Sequence, residues 1–176
     1  EARCVITQLF SALNYLNQID PPVIHFDLKP ANILYQNNEI KVTDFGLSKV
    51  MKECDLVNGD EMELTSQGAG TYWYLPPETF LLNNSVTISS KVDVWSAGII
   101  FYQLLYGKRP FGDEMSQNSL RQTGTILNAR EVTFPPRPVV SDDTKEFISL
   151  CLTYNKEARP DVLTMCRFPY LASGKR

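Results

Sequence analysis

The chain has 176 residues, 43% of them hydrophobic and 21% charged, which is enough to bury one substantial core and too few for two full domains. Its formal net charge of −3 is spread along the chain without a long run of either sign, so nothing points to a nucleic-acid or membrane-surface partner. The apolar stretches are too short or too interrupted to span a bilayer. Cys4, Cys54, Cys151 and Cys166 lie far apart, with one histidine in the whole chain, a pattern of reduced thiols in a cytosolic or nuclear protein and not of a zinc site.

Glu1-Ala2-Arg3-Cys4 leads straight into an amphipathic pattern with neither a signal peptide nor an initiator Met, so the sequence is expected to start in mid-protein. Val5, Leu9, Ala12, Leu13 and Leu16 share one helical face, and Asp20-Pro21-Pro22 ends it because proline disfavours helix in the residue before it. Ile33-Leu34-Tyr35 and Ile40-Lys41-Val42 flank the polar run Gln36-Asn37-Asn38-Glu39 and read as a small β-hairpin. From Lys49 to Gly70 periodicity gives way to polar and glycine residues, the composition of a long surface loop with a function. Asp93 to Tyr106 is almost continuously apolar and predicts a helix buried on most faces, closed by Gly107. Pro110-Phe111-Gly112 turns away from it, and Pro135, Pro136 and Pro138 mark a later irregular connection. Two further helices follow, one capped by Asp142 or Asp143 and one starting at Pro160. The fold class is mainly α with one small hairpin.

Chemistry concentrates around that hairpin. His25-x-Asp27-x-Lys29-x-x-Asn32 puts an acid, a cation and an amide on one loop, and Asp44-Phe45-Gly46 follows the second strand. Phosphoryl transfer uses these groups: a carboxylate for the attacking hydroxyl's proton, a cation for the transferred charge, and an amide oxygen and a second carboxylate for a magnesium ion. Either motif alone is a weak signal, but the two in this order and spacing are a strong one.

These motifs resemble the eukaryotic-type protein kinases along the entire chain. The resemblance implies a C-terminal kinase lobe over residues 1–176, a helical bundle with the hairpin at its catalytic loop, using ATP and Mg²⁺. It makes Asp27 and Lys29 catalytic, Asn32 and Asp44 metal ligands that also bind the nucleotide, and Leu34 the floor under the adenine, although Leu34 also reads as ordinary strand core. Gly70-Thr71-Tyr72-Trp73-Tyr74-Leu75-Pro76-Pro77-Glu78 looks like the peptide-receiving segment, with Thr71 bonded to the catalytic Asp and Lys and Glu78 paired with Arg159. Asp93 would fix the catalytic loop through backbone hydrogen bonds; without the motif context it reads as a helix N-cap. A histidine before an aspartate can serve as a general base; the resemblance instead packs His25 under Phe45. Lys29-Pro30 and Thr71 imply Ser/Thr specificity.

Glu63 to Glu78, the aromatic Phe26 between His25 and Asp27, the stretch from Phe111 onward and Phe134-Pro135-Pro136 are similar to the Tousled-like kinases. That similarity implies a nuclear kinase acting on histone chaperones of the anti-silencing type in chromatin assembly, self-associating through regions outside this chain. Phe26 stands where most kinases place an arginine that captures a phosphorylated activation loop. Phosphorylation at Thr65 or Ser66 is therefore expected to act through another basic residue, such as Lys49, or mainly through substrate docking. No glycine-rich phosphate loop, strand lysine or partner glutamate appears in these residues, so the resemblance covers roughly the C-terminal two thirds of a kinase domain and the chain alone is expected to be inactive. A pseudokinase scaffold and a small-molecule phosphotransferase of the aminoglycoside type are the alternatives. The intact Asp27, Lys29, Asn32 and Asp44 speak against the first, and Pro77-Glu78 with Arg159 against the second.

Overall fold

Helix α2, Lys91–Tyr106, is the pillar of the molecule: every residue from Val92 to Tyr102 is buried, which is why its sequence is apolar on all sides. The computed structural model describes residues 1–82 and 85–172. Around α2 pack α1 (Ala2–Gln18), α4 (Asp142–Cys151) and α5 (Val162–Cys166), while α3 (Gln117–Thr123) and the short α6 (Pro169–Ala172) lie outside this centre. Gly98 lets α4 come close, since a Cβ there would sit 2.6 Å from the Cβ of Cys151. Gly107 ends α2 in the left-handed conformation that a helix C-terminus favours.

α1 buries Ile6, Leu9, Phe10 and Leu13. The face is thus rotated from the expected one: Val5, Ala12 and Leu16 are only half-buried, because Phe10 makes the larger contact, edge-on to Phe147 at 5.5 Å. α2 starts at Lys91, so Asp93 lies inside the first turn and not at the N-cap, which is Ser90. The starts of α4 and α5 also differ from expectation: Ser141 caps α4, and α5 begins at Val162, two residues after Pro160. Ser141 accepts from the Thr144 N–H ahead of Asp142 and Asp143, and Asp161 accepts from the Thr164 N–H just after Pro160.

Among the described residues three small sheets decorate the helices. β2 (Ile33–Gln36) and β3 (Glu39–Val42) form the expected hairpin, Ile33 opposite Val42, and Asn37 and Asn38 both take positive φ, the geometry of a tight two-residue turn. β1 (Val23–Ile24) pairs with β4 (Lys49–Val50). The stretch from Lys49 to Gly70, read from composition as a loop, contains more structure than that: β5 (Leu56–Asn58) and β6 (Glu61–Glu63) form a hairpin whose second strand also pairs with β7 (Thr87–Ile88). A second hydrophobic cluster, including Ile24, Phe26, Leu64, Tyr72, Val86 and Ile88, underlies it. Among the described residues no helix is long and apolar enough to cross a membrane.

One buried ion pair joins the elements. Arg159, 1% exposed, donates from Nη1 to Glu78 Oε1 at 2.7 Å and from Nη2 to Oε2 at 3.0 Å, and lies over the Trp95 ring at 5.0 Å. Its Nε donates to the Thr153 carbonyl. Removing one partner leaves a buried charge, so Glu78→Ala or Arg159→Ala should each cost about 3–5 kcal/mol of stability, read by urea denaturation of the full-length protein with tryptophan fluorescence. A loss below about 1 kcal/mol would show that the pair adds nothing beyond a surface bridge.

Candidate active site

The loop between β1 and β2 is shaped from below by Asp93. One of its carboxylate oxygens accepts from the His25 N–H at 2.7 Å and the other from the Phe26 N–H at 2.9 Å. Burial pushes the Asp93 carboxyl up to about 6, against the downward pull of these two N–H groups. The pair of bonds supports Phe26 at φ 71, a conformation that non-glycine residues seldom adopt. His25 is tied at both ring nitrogens: Nδ1 accepts from the Asp27 N–H at 3.3 Å, which leaves Nε2 to donate to the Thr43 carbonyl at 2.9 Å. With both nitrogens engaged by backbone and its ring 4.8 Å from that of Phe45, His25 has no free base to offer.

Beyond His25 the polar groups converge. Thr71 Oγ1 donates to Asp27 Oδ1 at 3.0 Å and accepts from Lys29 Nζ at 3.0 Å, while Lys29 Nζ lies 3.4 Å from Asp27 Oδ2. Asn32 Nδ2 donates to the Asp27 carbonyl at 2.8 Å and to Oδ2 at 3.3 Å, which leaves its amide oxygen as the atom for a cation. Asp44, exposed and at φ 58, accepts from the Gly46 N–H through Oδ1. Among the described residues no three His, Cys, Asp or Glu side chains gather into a metal site. An amide oxygen and one carboxylate nevertheless fit magnesium, which keeps several waters and shares its shell with substrate phosphates. Leu34 is 57% exposed and so is not strand core.

Further along, Lys49 Nζ donates to Ser66 Oγ at 2.6 Å and lies 5.6 Å from the centre of the Phe26 ring. Lys49 is thus beside one of the two hydroxyls considered for phosphorylation, while Thr65 is exposed. Residues that motif reading missed also belong to this region. Trp73 Nε1 donates to the Gly112 carbonyl, buried Ser96 donates to the Tyr74 carbonyl at 2.7 Å, and Lys156 reaches Glu61. Only the last had a legible trace, the Gly59-Asp60 turn that joins β5 to β6.

The family profile described as the protein kinase domain matches residues 1–171. This chain belongs to the protein kinases. It is 57% identical over 176 residues to human serine/threonine-protein kinase tousled-like 2, covering 97% of this chain and 23% of the relative. It is 56% identical over 178 residues to serine/threonine-protein kinase TOUSLED of Arabidopsis thaliana, covering 100% and 26%, and 53% identical over 171 residues to tousled-like 1 of Caenorhabditis elegans, covering 95% and 18%. The chain therefore spans about a quarter, or less, of the length of these relatives.

Among the described residues the Thr71 hydroxyl is the one group that hydrogen-bonds both the Asp27 carboxylate and the Lys29 ammonium. Thr71→Ala should lower kcat by about 10- to 100-fold, because a hydrogen bond to a charged group contributes about 1.5–3 kcal/mol, and Thr71→Ser should recover most of it. Steady-state kinetics of the full-length protein decide this; an unchanged kcat in Thr71→Ala would remove Thr71 from the site.

Proposed function

We propose that residues 1–176 are the C-terminal lobe of a serine/threonine protein kinase of the Tousled type, which moves the γ-phosphoryl group of ATP to a protein Ser or Thr hydroxyl. The observation that carries this is the mutual contact of Asp27, Lys29, Thr71 and Asn32; Asp44 follows Thr43, whose N–H donates to the Asn32 carbonyl at 2.8 Å. Asp27 orients the incoming hydroxyl and accepts its proton as the oxygen bonds to the γ-phosphorus and the bond to the β-phosphate oxygen breaks, releasing ADP. Lys29 offsets the charge on the transferred group. Thr71 keeps the acid and the cation in register. Asn32 and Asp44 would hold magnesium, which supplies charge neutralisation to the phosphates when bound, and Leu34 would meet the adenine. Phe45, Glu78, Asp93 and Arg159 hold these groups in place and do not react.

By family, the substrate is a histone chaperone of the anti-silencing type met in the nucleus during chromatin assembly, and the protein self-associates through parts outside this chain. The similarity to the Tousled-like kinases supports that reading. The 176 residues contain neither a glycine-rich phosphate loop nor its lysine, so alone they bind ATP weakly and turn over nothing useful.

Phosphotransfer from labelled ATP to casein by the full-length protein should yield phosphoserine and phosphothreonine. Asp27→Asn should cut kcat by about 10²–10⁴-fold. Label appearing only on tyrosine, or an Asp27→Asn rate equal to wild type, would overturn the assignment. The 176-residue chain assayed by itself should show no turnover; a rate like that of the full-length protein would refute its being half of a site. An anti-silencing-type chaperone should be phosphorylated with a higher kcat/KM than casein, and equal values would refute that substrate class.

A further inference from the structure

The segment between Asp44 and Glu78 has its middle built into a sheet. β6 pairs with β7, Met62 opposite Ile88 and Glu63 opposite Thr87, and the ladder continues as the Leu64 N–H donates to the Val86 carbonyl at 2.7 Å. Lys156 closes the edge of this sheet. Its ammonium donates to Glu61 Oε1 at 2.5 Å, Thr87 Oγ1 at 2.7 Å and the Thr87 carbonyl at 3.2 Å, using all three of its hydrogens. Thr87 Oγ1 in turn donates to Glu61 Oε2 at 2.8 Å, so both carboxylate oxygens are engaged. Burial pushes the Glu61 carboxyl up, but the hydrogen bonds from Lys156 and Thr87 outweigh it and leave the group below the usual carboxylate range.

Lys156 is itself held in place. Lys91, at the start of α2, donates to the carbonyls of Lys156 and Glu157, and Arg159 lies in the same loop, paired with Glu78. That loop therefore grips the activation segment twice, at Glu61 in its middle and at Glu78 at its end. From the first grip the chain runs through buried Leu64 and through Ser66, bound by Lys49, to Thr71, which touches Asp27 and Lys29.

We propose that Lys156 is a positioning residue for phosphotransfer, clamping β6 onto β7 so that the activation segment takes its substrate-receiving form with Thr65 and Ser66 unphosphorylated. This rests on the kinase reading of the site. Segments that order only on phosphorylation do so because a new phosphate gives an arginine cluster something to bind. Here Phe26 occupies the loop position after His25 and is buried under the segment, and the Ser66 hydroxyl already has its cation. The ordering contacts are backbone pairs and a half-buried carboxylate, none of which uses the hydroxyl of Thr65 or Ser66.

The test uses the full-length protein with casein as substrate, before and after phosphatase treatment, together with hydrogen–deuterium exchange of residues 61–64. Phosphatase-treated wild type should keep its kcat/KM within about threefold, and Lys156→Ala should lose about tenfold, mainly through KM for casein, with KM for ATP unchanged. Exchange at residues 61–64 should speed up in Lys156→Ala, return to the wild-type rate in Lys156→Arg, and recover in part when Glu61→Lys is combined with Lys156→Glu. Thr87→Val, which removes one hydroxyl, is a milder variant expected to move in the same direction if Lys156→Ala fails to fold. A loss of more than about tenfold on phosphatase treatment alone, or variants with unchanged casein KM and unchanged exchange, would overturn the clamp. A wild type that transfers no phosphate would overturn the kinase reading, and the exchange rates would still decide whether Lys156 holds the strand.

Discussion

The geometry of the site depends on one buried carboxylate. Asp93 sits in the first turn of the most apolar helix of the molecule and spends both oxygens on two consecutive backbone N–H groups of another segment. A loop that turned through Phe26 at positive φ without that support would relax, and Asp27 would leave the reach of Thr71, Lys29 and Asn32. The cost of keeping a carboxyl in the core shows in its raised pKa; the benefit is a loop whose shape is dictated by the rigid centre of the fold and not by its own preferences.

Two further fixings complete the arrangement from the other side. The loop carrying Asp27 is held from beneath by α2, whereas the segment carrying Thr71 is held from its flank by the loop that leads to Arg159. The acid and the hydroxyl that touch each other thus belong to separately anchored bodies. Their 3.0 Å contact reports that both anchors are in place. His25 contributes by bridging: its ring joins the Asp27 N–H to the Thr43 carbonyl next to Asp44, and so couples the loop to the far end of the hairpin.

Much of this was legible in the sequence because phosphoryl-transfer groups occur in short contiguous runs. The hairpin, the buried central helix and the grouping of Asp27, Lys29 and Asn32 follow from local pattern alone. What was not legible depended on choices among neighbours or on distant contacts. Ser141, Asp142 and Asp143 are all good cap residues, and only the path of the backbone selects the first. On α1 the apolar residues cover more than one face, and tertiary packing chose Ile6 and Phe10 over Val5 and Ala12. The β5–β6 hairpin was hidden by a polar composition suited to a loop; its order comes from β7 and Lys156, both remote in sequence. Leu34 shows the converse, an apolar strand residue left in the open where core was an equal reading.

The contacts that give the site its shape share a property with consequences for how it is made. Asp93 and His25 are 68 positions apart along the chain, and Arg159 and Glu78 are 81. Each closes a long loop, and loop closure is an entropic cost that must be met before the contact stabilises anything. Non-local contacts of this kind form late and slow the search for the native state. Since no local precursor exists in which Asp27 already faces Thr71, a partly folded or nascent chain carries no weak version of the site. The arrangement around Asp27 is complete only when the long-range contacts of the fold are.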